Sequence, residues 1–252
     1  HQGDRIVSRS ETSILEEIRR MTRHPEWKGF VDDLGGPTAN MYGLEKTAVR
    51  QAHLRLLSLM RAARKVPGVK KVFVRSGIRY DLAVECPEYV RELAAHHTSG
   101  LLKIAPEHVS ENVLRLMNKS GGLQRLEEFR RMFARAASSE TGQARGGRGG
   151  ARGGERASYR ERPKYLKYYF MVAHPGTTDK EARELAAFLR ELERGGEKPV
   201  EGVQIFTPTP MTRSTCMYHT GKDPVTGEAV YVPRPYAEKK AQKRMLISSS
   251  ED

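Results

Sequence analysis

Five clusters in this 252-residue chain carry side chains and backbone turns suited to chemistry. They are Gly35-Gly36-Pro37, Arg75-Ser76 with Arg79, Glu107-His108, His174-Pro175-Gly176 and Thr207-Pro208-Thr209-Pro210. The glycine pair gives a turn with exposed amides that can cradle an amino-acid backbone or a phosphate, though on its own it reads first as a plain strand-ending turn. Glu107 suits acceptance from a ribose hydroxyl or work as a base, and His108 suits proton relay. Arg75 and Arg79 offer the forked guanidinium that grips carboxylate or phosphate. The plain alternative for Arg79 is a surface pair with Asp81.

These clusters share a position. Each follows a short apolar run: Val31, Val72-Phe73-Val74, Leu102 to Ala105, Phe170 to Ala173, and Val203 to Phe206. An amphipathic helical stretch follows at least the first four. Strand-then-helix alternation implies parallel strands, which need a crossover between them. In such folds ligands bind at the carboxyl ends of the strands, so five clusters there predict a small-molecule site at the mouth of a barrel.

The remaining elements read from periodicity. Ser8-Arg9-Ser10-Glu11 offers a capping box before a helix striped by Ile14, Leu15, Ile18 and Met21. Strands are expected at Phe30 to Leu34, Lys71 to Val74, Leu101 to Ala105, Tyr165 to Ala173 and Val203 to Phe206. Helices are expected at Lys46 to Lys65, from Pro87, after a Ser110 cap, at Leu123 to Ala137 and from the Thr178-Asp179-Lys180-Glu181 box. From Thr207 the chain reads as Pro- and Thr-rich loop, with a final basic helix at Ala237 to Leu246. The first helix has no strand before it, so the chain is expected to be cut inside its first βα unit. The segments are then a first barrel part (1–137), a Gly/Arg-rich insert (138–163), a last barrel part (164–210) and a C-terminal extension (211–252). The insert is expected to be disordered, since it has too little apolar surface to offset its chain entropy.

Composition narrows the classes. No apolar run approaches a bilayer span and no signal-peptide pattern opens the chain, so a cytoplasmic protein without membrane contact is expected. Two cysteines, Cys86 and Cys216, exclude a disulfide framework and are too few for an iron–sulfur cluster. No zinc-like spacing occurs, no metal ligand is assigned, and His53, His96 and His97 read as structural. A net charge of +13 invites nucleic acid, but much of it sits on mixed-sign helical faces. The Arg145 to Gly154 repeat resembles an RGG box and supports a second reading as an RNA-binding scaffold.

Taken together the blocks resemble the YgiQ-type (UPF0313) family of radical S-adenosylmethionine (SAM) proteins. The matching stretches are His1-Gln2-Gly3, Ser8-Arg9-Ser10, Asp33 to Gly43 (DLGGPTANMYG), Gly68 to Asp81 (GVKKVFVRSGIRYD) and Gly100 to His108 (GLLKIAPEH). His174 to Thr177, Val203 to Pro210 and Cys216 to Gly221 extend the likeness over nearly the whole chain outside the insert. The resemblance implies an α/β fold, a partial (β/α)6 barrel missing its first strand. It implies SAM and a [4Fe-4S] cluster as cofactors, a flavodoxin- or ferredoxin-type reductant, and a deoxyadenosyl radical that abstracts hydrogen from an unknown substrate. It places the SAM amino group at Gly35 and Gly36 beside Pro37, the ribose near Glu107 and His108, and the adenine near His174, Pro175 and Gly176. Ser76 joins this cofactor-binding set, and no catalytic residue is assigned.

Two departures shape the expectation. The family carries a CxxxCxxC loop just before the HQG segment at which this chain starts. The cysteine-containing loop that relatives carry after NMYG is here the cysteine-free run Leu44 to Gln51. The chain is therefore expected to keep a partial SAM pocket without radical activity. A noncatalytic subunit completed by another chain is a third reading.

Overall fold

A Ser10 hydroxyl accepts from the Ser13 amide and opens the first helix, α1 (Glu11–Met21), whose Ile14 and Ile18 are buried. Ser8, expected in the same cap, instead bonds Glu45 and the Gly43 amide. In this computed structural model, residues 6–34, 38–119, 121–143, 163–197 and 200–247 are described. The chain divides into two compact units, one built on Gly3–Lys103 with Glu127–Leu166, the other on Ile104–Leu126 with Lys167–Asp252.

In the first unit, β1 (Phe30–Asp32) pairs in parallel with β2 (Lys71–Phe73), in register from Phe30↔Lys71 to Asp32↔Phe73. Parallel neighbours need a crossover, and α2 (Val49–Arg64) supplies it. Its buried stripe is Ala52, His53, Leu56, Leu57, Leu59, Met60 and Ala63. A short 3₁₀ turn (Ala39–Met41) precedes α2, and one helical turn, α3 (Tyr80–Ala83), follows β2. Pro87 occupies the tolerated first position of α4 (Pro87–Glu92), which runs on as a π-type turn, Leu93–His97. Tyr80, Tyr89 and Phe129 are among the largest fully buried side chains of this unit.

The strand β3 (Leu101–Glu107) leads to α5 (Glu111–Leu116) and α6 (Gly122–Gln143). Then come β4 (Tyr165–Val172), α7 (Asp179–Arg194), β5 (Val200–Ile205), α8 (Arg213–Thr220) and α9 (Tyr236–Ile247). The strand order is β3-β4-β5, and β4 pairs with β5 in parallel. Leu166, Tyr168, Phe170 and Val172 alternate inward along β4, while Tyr165 and Tyr169 are exposed.

The described residues thus hold five strands, each near its expected place, with helices between them. Three details differ from the sequence reading and a fourth agrees with it. The helix after Gly122 continues to Gln143, past the expected end at Ala137; residues 144–162 of the insert lie outside the described residues. The Thr178 cap forms as expected, with Glu181 closing the box. Ser110 occupies the N-cap of α5 without a side-chain cap bond, its amide going to His108 instead. The segment after Thr207 is not all loop. Thr212 caps α8 by accepting from Thr215, and Met217 anchors the helix in the interior, so local capping overrides the Pro/Thr-rich composition.

Candidate functional site

Three of the five strands lead directly into a non-glycine residue with left-handed φ. Asp33 (φ 71°) follows β1, Glu107 (φ 68°) closes β3 and Ala173 (φ 60°) follows β4. Such backbone costs on the order of 1 kcal/mol or more and persists only where the surroundings impose it. The strand ends are shaped turns, and the candidate residues sit in them.

In the second unit, the end of β3 presents a buried pair. The Ser110 amide donates to His108 Nδ1 at 3.0 Å. That nitrogen is therefore unprotonated, and the proton sits on Nε2, which is buried and has no partner. Burial pushes the His108 imidazole down to about 4, with His174 adding to the effect and Glu181 opposing it. Glu107 Oε2 is also buried without a partner, while Oε1 lies 3.6 Å from Lys119 Nζ. Lys119 bonds the Ala105 carbonyl as well. Burial raises the Glu107 carboxyl above its ordinary range, and Lys119 works against that rise. The strand end thus holds a free acceptor and a free donor, each withdrawn from water.

The turn after β4 is held more tightly. His174 Nδ1 lies 2.7 Å from the Pro175 carbonyl, which can only accept, so Nδ1 carries the proton. Nε2 then accepts from Ser214 Oγ at 2.7 Å. Burial lowers His174 to about 4, the Pro175 bond opposing it. Both ring nitrogens are committed, which makes His174 a strut within the turn. Gly176 has φ 92°, and a Cβ there would stand 2.3 Å from Leu116 Cδ1. Pro175 is buried beside it.

In the first unit, the Asp33 carboxylate accepts from the Arg75 and Ser76 amides, each at 2.9 Å, and ties the ends of β1 and β2 together. Ser76 Oγ is buried without a partner. Arg75 lies over the Phe73 ring and pairs with Asp32. Arg79 and Asp81 do pair, as the plain alternative had it, but on a buried carboxylate rather than at the surface. Asp81 is buried and receives Arg79 Nε and Nη2 at 2.8 and 2.5 Å, while Asn40 bonds both the amide and the carbonyl of Arg79. His53 and His97 are buried and bonded to the Asn40 and Val72 carbonyls, as structural histidines should be. Gly35, Gly36 and Pro37 lie outside the described residues. Thr207 to Pro210 form an exposed loop, where the Thr209 carbonyl accepts from Thr212 and Thr215.

The structure therefore gathers Glu107, His108 and the His174–Gly176 turn in one unit and places Ser76 with Asp33 in the other. Sequence reasoning missed Lys119, Ser214 and Asp33. Of these only Asp33 carried a signal, as an acidic residue two positions before the Gly35-Gly36 pair.

A UPF0313 protein of Geobacter sulfurreducens is 44% identical over 98% of this chain, and one of Methanosarcina acetivorans is 42% identical over the same share. The chain belongs to the UPF0313 family. This UPF0313 chain spans 40% and 32% of those two relatives' lengths. Residues 201–250 match a family described as a domain of unknown function, DUF3362. Among solved structures, the coproporphyrinogen III oxidase HemN of Escherichia coli, described as a radical SAM enzyme, matches with a TM-score of 0.51 at 11% identity. The match covers 98% of this chain and 46% of that one. The fold is shared.

The donor sets of this UPF0313 chain treat the two implied cofactors differently. Among the described residues no three His, Cys, Asp or Glu side chains gather as a metal site; Cys86 is buried and Cys216 exposed. Those residues do not fit an iron–sulfur cluster. The orphaned acceptor of Glu107 and the orphaned donor of His108 do fit a ligand rich in hydroxyls and ring nitrogens. No helix among the described residues is long and apolar enough to cross a membrane.

Proposed function

We propose that this chain supplies the SAM-binding core of a radical SAM enzyme. The observation that carries this reading is the buried, unpartnered carboxylate oxygen of Glu107 at a strained strand end, within a fold shared with HemN. A buried polar atom without a partner is costly, and a ligand hydroxyl removes that cost. Glu107 accepts from the ribose, Lys119 keeps its carboxyl partly compensated, and His108 Nε2–H offers a donor beside it. The His174–Gly176 turn borders the adenine. In this class of enzyme SAM supplies hydrogen-atom abstraction from a substrate; the residues here bind and orient it.

Calorimetric titration of the chain with SAM tests the reading. Wild type is expected to bind, and Glu107→Gln is expected to weaken binding roughly tenfold or more, the loss of a charge-assisted hydrogen bond. No binding by the wild type, or equal binding by both proteins, overturns it.

A further inference from the structure

The turn from Ala173 to Thr177 is held from outside, and its partners come from one stretch of chain. The Ala173 amide donates to Gln242 Oε1 at 2.9 Å, and Gln242 Nε2 donates to the Thr177 carbonyl at 2.9 Å. The Gly176 amide donates to the Tyr231 carbonyl at 2.7 Å, and Ser214 bonds His174. Ser214, Tyr231 and Gln242 all lie within the C-terminal segment of unknown function.

Gln242 is fully buried on α9. An amide N–H can only donate and a carbonyl can only accept, so the chemistry of its two partners fixes which way the Gln242 amide points. One side chain thereby closes both ends of a five-residue turn. Apart from a protonated glutamic acid, no other side chain of that length offers one strong acceptor and one strong donor on the same carbon. The turn needs such a brace, because it begins on left-handed Ala173 and contains Gly176 pressed against Leu116.

We infer that Gln242 is a positioning residue, and that the C-terminal segment acts as a clamp that shapes the β4 turn for the ligand. The inference rests on the SAM reading for its ligand, but the clamp itself is a statement about the turn. It gives the segment a task within the binding unit: without it, the His174–Gly176 turn loses its two terminal bonds and the fixed setting of its imidazole.

The test uses the full chain as wild type, Gln242→Met and Gln242→Glu. Two readouts are taken, SAM affinity by calorimetry at pH 5.5 and 8, and amide hydrogen exchange at Ala173 and Gly176. Gln242→Met keeps the volume and removes both bonds; affinity should fall about tenfold and Ala173 exchange should quicken by a similar factor. The carboxyl introduced by Gln242→Glu can replace the amide only while protonated, when it both accepts and donates. That variant should approach wild type at pH 5.5 and fail at pH 8, when its ionised oxygens face the Thr177 carbonyl. His108 and His174, at about 4, stay neutral across this range, and Glu107 is common to all three proteins. A general loss of packing would not produce a pH-dependent rescue confined to one variant.

Wild-type affinity in Gln242→Met, or Gln242→Glu that follows Gln242→Met at both pH values, overturns the clamp. If wild type binds no SAM, the cofactor reading fails and exchange alone decides the clamp. Selective loss of protection at Ala173 then supports it, and unchanged protection overturns it. Should Gln242→Met not fold, Gln242→Glu compared at the two pH values supplies the same contrast.

Discussion

Asp33 receives the Ser76 amide on one carboxylate oxygen and the Arg75 amide on the other, so a single side chain closes the gap between two parallel strand ends. The bond to Ser76 spans 43 residues of sequence, and it forms only because Asp33 turns out of β1 with φ 71°. Asp33→Asn isolates the hydrogen bonding from the backbone strain, since Asn tolerates left-handed φ. The amide keeps one acceptor and aims its NH₂ at the other N–H. A loss of roughly 1–2 kcal/mol is expected in denaturant unfolding, with the slope unchanged. A loss within a few tenths would show that the carboxylate does not tie these ends together.

Two buried histidines set a pH dependence of opposite origin to a salt bridge. Burial holds His108 and His174 at about 4, against 6.5 for an unperturbed imidazole. Between those values the unfolded chain binds protons that the folded chain refuses, so stability is full above about pH 6.5 and falls as pH drops toward 4. His108→Gln should flatten that decline by roughly 1–3 kcal/mol across the window. Unfolding free energies measured every half unit from pH 4 to 8 in both proteins check it. Parallel curves would mean that His108 titrates normally in the folded state.

Glu92 acts in a lower window. Burial alone would raise its carboxyl, but His97 Nε2 at 3.7 Å, the hydrogen bonds from Arg61 and the charges of His96 and Arg61 hold it down to about 2. Arg64 completes the contact at 2.9 Å. A depressed carboxyl contributes stability above its unfolded value, near 4.5, and loses it as pH falls toward 2. Wild type minus Glu92→Gln should therefore be constant above about pH 5 and shrink through the acid limb. A difference that stays constant to pH 2 would remove Glu92 as the source.

What was legible in the sequence follows from how each feature is encoded. Strand ends announce themselves locally, as apolar runs stopped by Gly, Pro or polar residues, and Glu107, His108 and His174 were found that way. The Thr178–Glu181 box is local too and formed as expected. Gln242 was not legible, because it meets Ala173 across 69 residues and nothing in a basic helix marks one glutamine as buried. Ser214 lies 40 residues from His174, inside a segment whose prolines and threonines argue for loop. The backbone of Arg79 is held by Asn40, 39 residues earlier. Periodicity locates elements; it is silent on which polar side chains cross between them.

Gly176 provides the sharpest test of how tightly the β4 turn is built. Its φ of 92° is poorly suited to any side chain, and an added Cβ would lie 2.3 Å from Leu116 Cδ1. Gly176→Ala therefore combines two separable penalties, backbone strain of about 1–2 kcal/mol and a clash of about 1–3 kcal/mol. Leu116 is almost fully buried on α5, so Leu116→Ala alone should cost about 2–5 kcal/mol through the cavity it leaves. In the double variant the new methyl meets open space, and the clash disappears while the strain remains. The double should thus be less destabilised than the sum of the singles by roughly 1–3 kcal/mol, as read from a double-mutant cycle of unfolding free energies. Simple additivity would mean that the turn yields to the methyl by moving, and that Leu116 does not confine it.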